Sequence, residues 1–159
     1  MARKAHYRPF APENTRYVTD AVADDGCAMI LKASQPSGGG VGQALDGQRL
    51  VAAAYAGAPP SGTKFLGVAL NQVKNVDLST YPRSSFKPTD TNVGEPVAIG
   101  EWCEVWTNKI TGTPALEGDA YLAADSTFGT ASVNGNGVVG KWKSTKDSDG
   151  YALLQVKAF

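Results

Sequence analysis

The chain has 159 residues, and its 15 basic and 15 acidic side chains cancel to a net charge of zero. That length suits one globular domain able to hide roughly 70% of its unfolded surface, so folding requires neither disulfides nor a metal. Eighteen glycines and nine prolines exceed what a helical bundle tolerates, the balanced charge argues against a general nucleic-acid binder, and the single histidine, His6, thins the catalytic options.

Charge is unevenly spread. Residues 1–16 carry Arg3, Lys4, Arg8 and Arg16 against Glu13, a net +3, which leaves −3 on the rest of the chain. With Pro9, Pro12 and no apolar periodicity, this segment reads as an extended basic arm or as a disordered tail. Tyr7, Pro9 and Phe10 favour the arm, because aromatic side chains add little to solubility and gain from burial.

Residues 17–159 read as a single all-β domain, a small β-barrel or sandwich-like body behind the arm. Short strands are predicted at 16–22 and 27–33, followed by a glycine-rich connection at 34–43. The apolar run 48–56 predicts a strand, although its alanines also permit a short helix. In the strand at 64–73, alternation predicts Leu66, Val68 and Leu70 on one face. The long proline-containing loop at 79–96 carries Tyr81 and Phe86. A loop of that length is functional or leans on a neighbour, and its aromatics favour the neighbour.

Ile99, Trp102, Cys103, Trp106 and Ile110 have helical spacing. Gly100 and the Thr-Gly-Thr-Pro exit are poor helix material, and Val97, Ile99, Val105 and Thr107 predict a strand bent or bulged at Gly100. Trp102 and Trp106 then share a face as core or subunit-contact aromatics. A further strand is predicted at 120–124. The final strand places Ala152, Leu154, Val156 and Ala158 on one face, with Tyr151, Gln155 and Lys157 on the other. Asp25-Gly26, Asp46-Gly47, Asn134-Gly135, Asn136-Gly137 and Asp149-Gly150 mark tight turns. Strands with frequent turns and no long amphipathic helix define the all-β class.

Cys27 and Cys103 lie in apolar surroundings and read as buried free thiols, with one bridge between them the open alternative. No apolar stretch approaches the roughly 20 residues of a membrane span, and the N-terminus lacks the apolar core of a secretory signal. The expectation is a soluble protein synthesised in a cytoplasm.

No motif predicts a catalytic, cofactor or metal site. Gly135-Asn-Gly137-Val-Val-Gly140 fits a dinucleotide pattern in letters. However, the text after it is not a helix, and Trp142 occupies the Ser/Thr position of the related P-loop. Asp147-Ser-Asp149-Gly150 and Asp24-Asp25-Gly26 read as turns rather than calcium loops, since later ligands are missing. A nucleophilic triad would have to use His6, in the arm. Glu101 and Glu104 are ordinary surface charge, and Lys141-Trp142-Lys143 is a slight hint of single-strand binding.

Lys64-Phe-Leu-Gly-Val-Ala-Leu-Asn-Gln-Val-Lys-Asn-Val-Asp77, Gly94-Glu-Pro-Val-Ala-Ile-Gly100 leading to Val105-Trp-Thr-Asn-Lys-Ile-Thr-Gly112, Gly118-Asp-Ala-Tyr-Leu-Ala123 and the ending from Val139 to Val156 carry a resemblance. Together they are similar to decoration (cement) proteins of tailed-bacteriophage capsids, small β domains in which a Gly-Val-Ala strand precedes a Gly-Glu-Pro-Val strand. The match runs from about residue 45 to 159, and the first 44 residues match less well. The resemblance implies a non-enzymatic structural virion protein on the outer capsid surface, without cofactor or metal. Its implied partners are the major capsid protein and neighbouring copies of itself in a homo-oligomer, with no nucleic acid and no membrane.

With that implication, Arg3, Lys4, Tyr7, Arg8 and Phe10 are the candidate partner-binding residues, joined by Tyr81 and Phe86 in the long loop. Arginine would bridge carboxylates in two-pronged fashion and the aromatics would fill shallow pockets. The alternative is a surface-exposed carbohydrate- or host-adhesion β-sandwich, using Trp102, Trp106 or Trp142 as a stacking platform.

Overall fold

A computed structural model of the chain describes residues 7–9, 14–19, 21–32, 50–74 and 91–158. Their strands are β1 (Tyr7–Pro9), β2 (Asn14–Thr19), β3 (Ala28–Leu31), β4 (Leu50–Ala53), β5 (Phe65–Ala69), β6 (Val73–Lys74) and β7 (Thr91–Asn92) in the first part. β8 (Pro96–Gly100), β9 (Trp102–Thr107), β10 (Ile110–Thr111), β11 (Asp119–Leu122), β12 (Phe128–Gly129), β13 (Val138–Trp142) and β14 (Ala152–Lys157) follow. A single 3-10 turn, Ala124–Ser126, is the helical content among the described residues. The protein is all-β.

Five strands close into a barrel in the order β2-β4-β3-β5-β8, with β2 and β4 running parallel. Seven form a second sheet in the order β1-β9-β14-β13-β11-β12-β10, while β6 pairs with β7 apart from both. Within the run at 48–56, Leu50–Ala53 is a strand rather than a helix, held on one side by β2 and on the other by β3. β2 runs across residue 16, and Tyr7–Pro9 of the arm pair with the second sheet.

Packing explains the composition of the central strands. A five-stranded barrel leaves little interior room, and Met29, Ala52, Ala69, Val97 and Ile99 fill it with mostly small or unbranched side chains. The outer wall of β3 and β5 turns Ala28, Ile30 and Val68 toward the second sheet. There they meet Val105, Leu122, Phe128, Trp142, Leu154 and Val156 in one core. Phe65 approaches Phe128 edge-on, with ring centroids 6.1 Å apart. β3 is therefore apolar on both faces, and Ala28, Met29 and Ile30 are all buried in succession.

The stretch that mixed helical and strand signals is two strands. The chain leaves the barrel at Gly100 and enters the second sheet at Trp102. Before the junction Val97 and Ile99 point inward, and after it Cys103, Val105 and Thr107 do. The alternation stays in phase across the junction, and the helical spacing comes from mixing inward Ile99 and Cys103 with outward Trp102 and Trp106. A side chain at Gly100 is barred, because its Cβ would lie 2.7 Å from the Cys103 Sγ.

Two expected faces are corrected. Leu66 does not share a face with Val68 and Leu70; it packs toward the barrel interior cluster, whereas they join the core beneath the sheet. The cause is a register shift between β3 and β5 at Gly67. That residue has φ 141° and sits so close to β8 that a Cβ would lie 2.4 Å from the Gly100 carbonyl oxygen. Tyr151, expected on the solvent side, is 6% exposed. It precedes β14 and belongs to the turn closed by Asp147, whose amide donates to the Tyr151 carbonyl at 2.8 Å.

The barrel and the sheet are also clasped by polar contacts. Asp125 (φ 55°) and Ser126 (φ 56°) stand consecutively in the left-handed region, a conformation that L side chains adopt at a cost. Their partners account for it. The Ser126 hydroxyl donates to the Tyr55 carbonyl at 3.0 Å and accepts from the Tyr55 amide, and the Asp125 Oδ1 accepts from the Gly57 amide at 2.7 Å. Ser126→Ala leaves the Tyr55 amide and carbonyl without these bonds. It is expected to cost about 1–3 kcal/mol, read as a lower urea midpoint with an unchanged m-value.

Candidate functional site

Alternation in β9 and β14 builds the outward face of the second sheet. Cys103, Val105, Leu154 and Val156 turn inward, which leaves Trp102, Glu104, Trp106, Leu153, Gln155 and Lys157 on the other side. Register then pairs Trp102 with Lys157, Glu104 with Gln155 and Trp106 with Leu153. The Lys157 Nζ lies 5.4 Å from the centroid of the Trp102 ring, a cation–π contact across the two strands. Trp102 remains 43% exposed, so it is neither core nor fully covered, and Trp106 is half-buried beside it.

A groove of about 420 Å³ runs over this face. Trp102, Val138, Lys141, Gln155 and Lys157 line it, and Val138 is itself 47% exposed. A second groove of about 400 Å³ adjoins it at Val138 and Lys157 and adds Lys64 and Phe65. Among the described residues that line the two grooves there are three lysines and no carboxylate.

The edge of the same sheet holds the described part of the arm. β1 lies antiparallel to β9, with Tyr7 in register with Val105, Arg8 with Glu104 and Pro9 with Cys103. An arginine thus takes the register position of an acidic residue, the arrangement that cross-strand pairing favours. Tyr7 and Arg8 are consecutive positions of this edge strand. Arg3, Lys4, Phe10, Tyr81 and Phe86 lie outside the described residues.

Other groups singled out in the sequence have structural partners. Gly140 enters β13 opposite Val156, where a Cβ would stand 2.3 Å from the Gln155 carbonyl oxygen. The glycine therefore permits close strand packing. In the 147–150 turn the Asp147 Oδ1 accepts from the amides of Asp149 and Tyr151, at 3.0 and 2.9 Å. Asp24 forms an ion pair with Lys109. Trp142 is fully buried, so neither a sugar nor a base can stack on its ring, while Lys143 holds both oxygens of Glu117 at 2.8 and 3.0 Å.

Both thiols are free and buried. Burial, with the negative charge of Asp24 adding to it, pushes the Cys27 thiol up to about 12 from its ordinary 9.0. Below 9 the thiol is protonated in folded and unfolded chains alike. Above it the unfolded chain gives up the proton first, so stability falls as pH rises from 9.0 toward about 12. Between pH 9 and 10 the fall from this group is about 1 kcal/mol. Cys27→Ala is expected to lose less stability over that interval, measured by urea midpoints. A thiol reagent at pH 8 is expected to label neither cysteine before unfolding.

Among the described residues no group of three or more His, Cys, Asp or Glu side chains is placed to hold a metal ion. No protein-family model matches the chain, and no curated protein matches it. The outward face was partly readable beforehand, since alternation already set Gln155 and Lys157 opposite the buried side of the last strand. Its juxtaposition with Trp102 and Val138 depends on the order of β9, β14 and β13, for which local sequence carries no signal.

Proposed function

We propose that this chain is a structural virion protein that binds the outer surface of a phage capsid and cements neighbouring major capsid subunits, with no catalytic role. The observation that carries the reading is the basic N-terminal segment meeting an acidic all-β body through one short edge strand. β1 supplies three residues at the end of the sheet order. A terminal strand has backbone groups directed away from its own sheet, and a basic segment beside it suits an acidic protein surface. The surface-exposed Trp102 adds an apolar anchor of the kind that concentrates binding energy.

In this proposal the partners are the major capsid protein and adjacent copies of the chain, and no nucleotide, metal or membrane takes part. The sugar-binding alternative keeps Trp102 as its exposed ring, with Lys157 already lying over it. Binding to undecorated heads separates the two readings. The cement reading expects the protein to co-sediment with heads and its tryptophan fluorescence to be unmoved by sugars. A sugar-induced fluorescence change without head binding would favour the alternative.

A further inference from the structure

Two Asn-Gly pairs, Asn134-Gly135 and Asn136-Gly137, stand side by side between β12 and β13. Such a pair carries a built-in reaction, because glycine has no Cβ to shield the backbone nitrogen that can attack the asparagine side chain. The fold treats the two pairs differently. Asn134 and Gly135 (φ 52° and 73°) are exposed at the centre of a turn closed by the Asn136 amide, which donates to the Val133 carbonyl at 3.1 Å. The peptide group between them is unheld: neither the Asn134 carbonyl nor the Gly135 amide has a hydrogen-bond partner among the described residues. Beyond the adjacent residues, no atom lies within 4 Å of the place a Gly135 Cβ would take. One bond restrains the Asn134 side chain, whose Nδ2 donates to the Pro59 carbonyl at 2.8 Å.

Asn136 is 6% exposed. Its Nδ2 donates to the carbonyls of Pro60 and Val133, each at 3.0 Å. Its backbone carbonyl accepts from the Ser132 hydroxyl at 2.7 Å, which fixes the plane of the peptide that contains the Gly137 nitrogen. Attack at Asn136 requires that plane to turn and the side-chain amide to leave both carbonyls. We propose that Asn134 is a self-modification site, converted in the folded protein to aspartate and isoaspartate, while Asn136 is preserved as asparagine. The Gly135 backbone nitrogen gives its proton to solvent and attacks the Asn134 Cγ. The new N–Cγ bond displaces the side-chain nitrogen, which takes a proton from solvent and leaves as ammonia, and a cyclic imide results. Water then adds to one imide carbonyl. Breaking the N–Cγ bond leaves aspartate, whereas breaking the bond from the Gly135 nitrogen to the Asn134 backbone carbonyl carbon leaves isoaspartate. Overall a water is consumed and an ammonia released, with no change of oxidation state. Either product loses the Nδ2 donor to Pro59 and gains a carboxylate, so this turn is tied less firmly to the Pro59 segment and the neutral chain becomes negative.

The test incubates the full-length chain at mildly alkaline pH and body temperature. Trypsin then releases residues 110–141 as one peptide, and fragmentation in a mass spectrometer reads the two sites separately against an unincubated sample. Conversion at Asn134 is expected to run at least about tenfold faster than at Asn136, where two more hydrogen bonds must break. In the urea-unfolded chain the two sites are expected to convert at like rates. Ser132→Ala, at an exposed position, is expected to speed conversion at Asn136 and leave Asn134 unchanged. Equal rates in the folded chain, faster conversion at Asn136, or an intact Asn134 in the folded chain while the unfolded chain converts would overturn the proposal. So would a rate ratio that persists after unfolding, or a Ser132→Ala chain in which Asn136 reacts no faster. The reaction needs no capsid, so these results are independent of head binding.

Discussion

Trp142→Ala is expected to destabilise the protein by about 3–5 kcal/mol, the range for removing a large aromatic side chain from a packed core. Trp142 is fully buried in the core shared by β3, β5 and the second sheet, so its loss opens a cavity where the two halves of the fold meet. Against a total stability of about 5–15 kcal/mol, that cost takes a large part of the whole. The indole Nε1 is buried without a hydrogen-bond partner. Trp142→Phe discards this orphaned donor while keeping most of the ring, and is expected to cost less than about 1.5 kcal/mol. Urea unfolding followed by far-ultraviolet circular dichroism separates the two variants. Equal losses would show that the retained ring does not fill the site.

The second large effect concerns binding. Deleting residues 2–10 removes β1 together with Arg3, Lys4, Tyr7, Arg8 and Phe10, and leaves the barrel intact from Asn14. Affinity for undecorated heads is expected to fall at least about a hundredfold, equivalent to about 2.7 kcal/mol. Reversing only the charges at Arg3, Lys4 and Arg8 retains the strand and tests its electrostatic share. That share weakens as salt shortens the screening length. The urea midpoint of the deletion variant should stay close to that of the full chain, since β1 adds only three residues to one edge.

Much of the all-β body was legible in the residues. Asp25-Gly26, Asn134-Gly135 and Asp149-Gly150 marked real turns, and the alternation of Ala152, Leu154 and Val156 identified the inward face of β14 correctly. What stayed hidden was the division into barrel and sheet. β3 is buried on both sides, so Ala28-Met29-Ile30 shows no period that would point to either layer. Outward Trp102 and Trp106 interleaved with inward Ile99 and Cys103 imitate a helix, and the register shift at Gly67 moves Leu66 to the other face. Each depends on a neighbour distant in the chain. The parallel pairing of Tyr17 with Leu50 is equally invisible to local patterns.

The interaction surface divides in the same way. Composition alone isolates the +3 segment, because charge is additive and needs no geometry. The docking of Tyr7–Pro9 on Cys103–Val105 joins positions about 95 residues apart, and no local preference encodes it.

The most direct measurement of the proposed function is co-sedimentation of the purified full chain and its residue 2–10 deletion with undecorated heads of the cognate phage. The cement reading predicts saturable binding of the full chain to the outside of the shell and loss of that binding in the deletion. A full chain that stays in the supernatant at saturating concentration would contradict it.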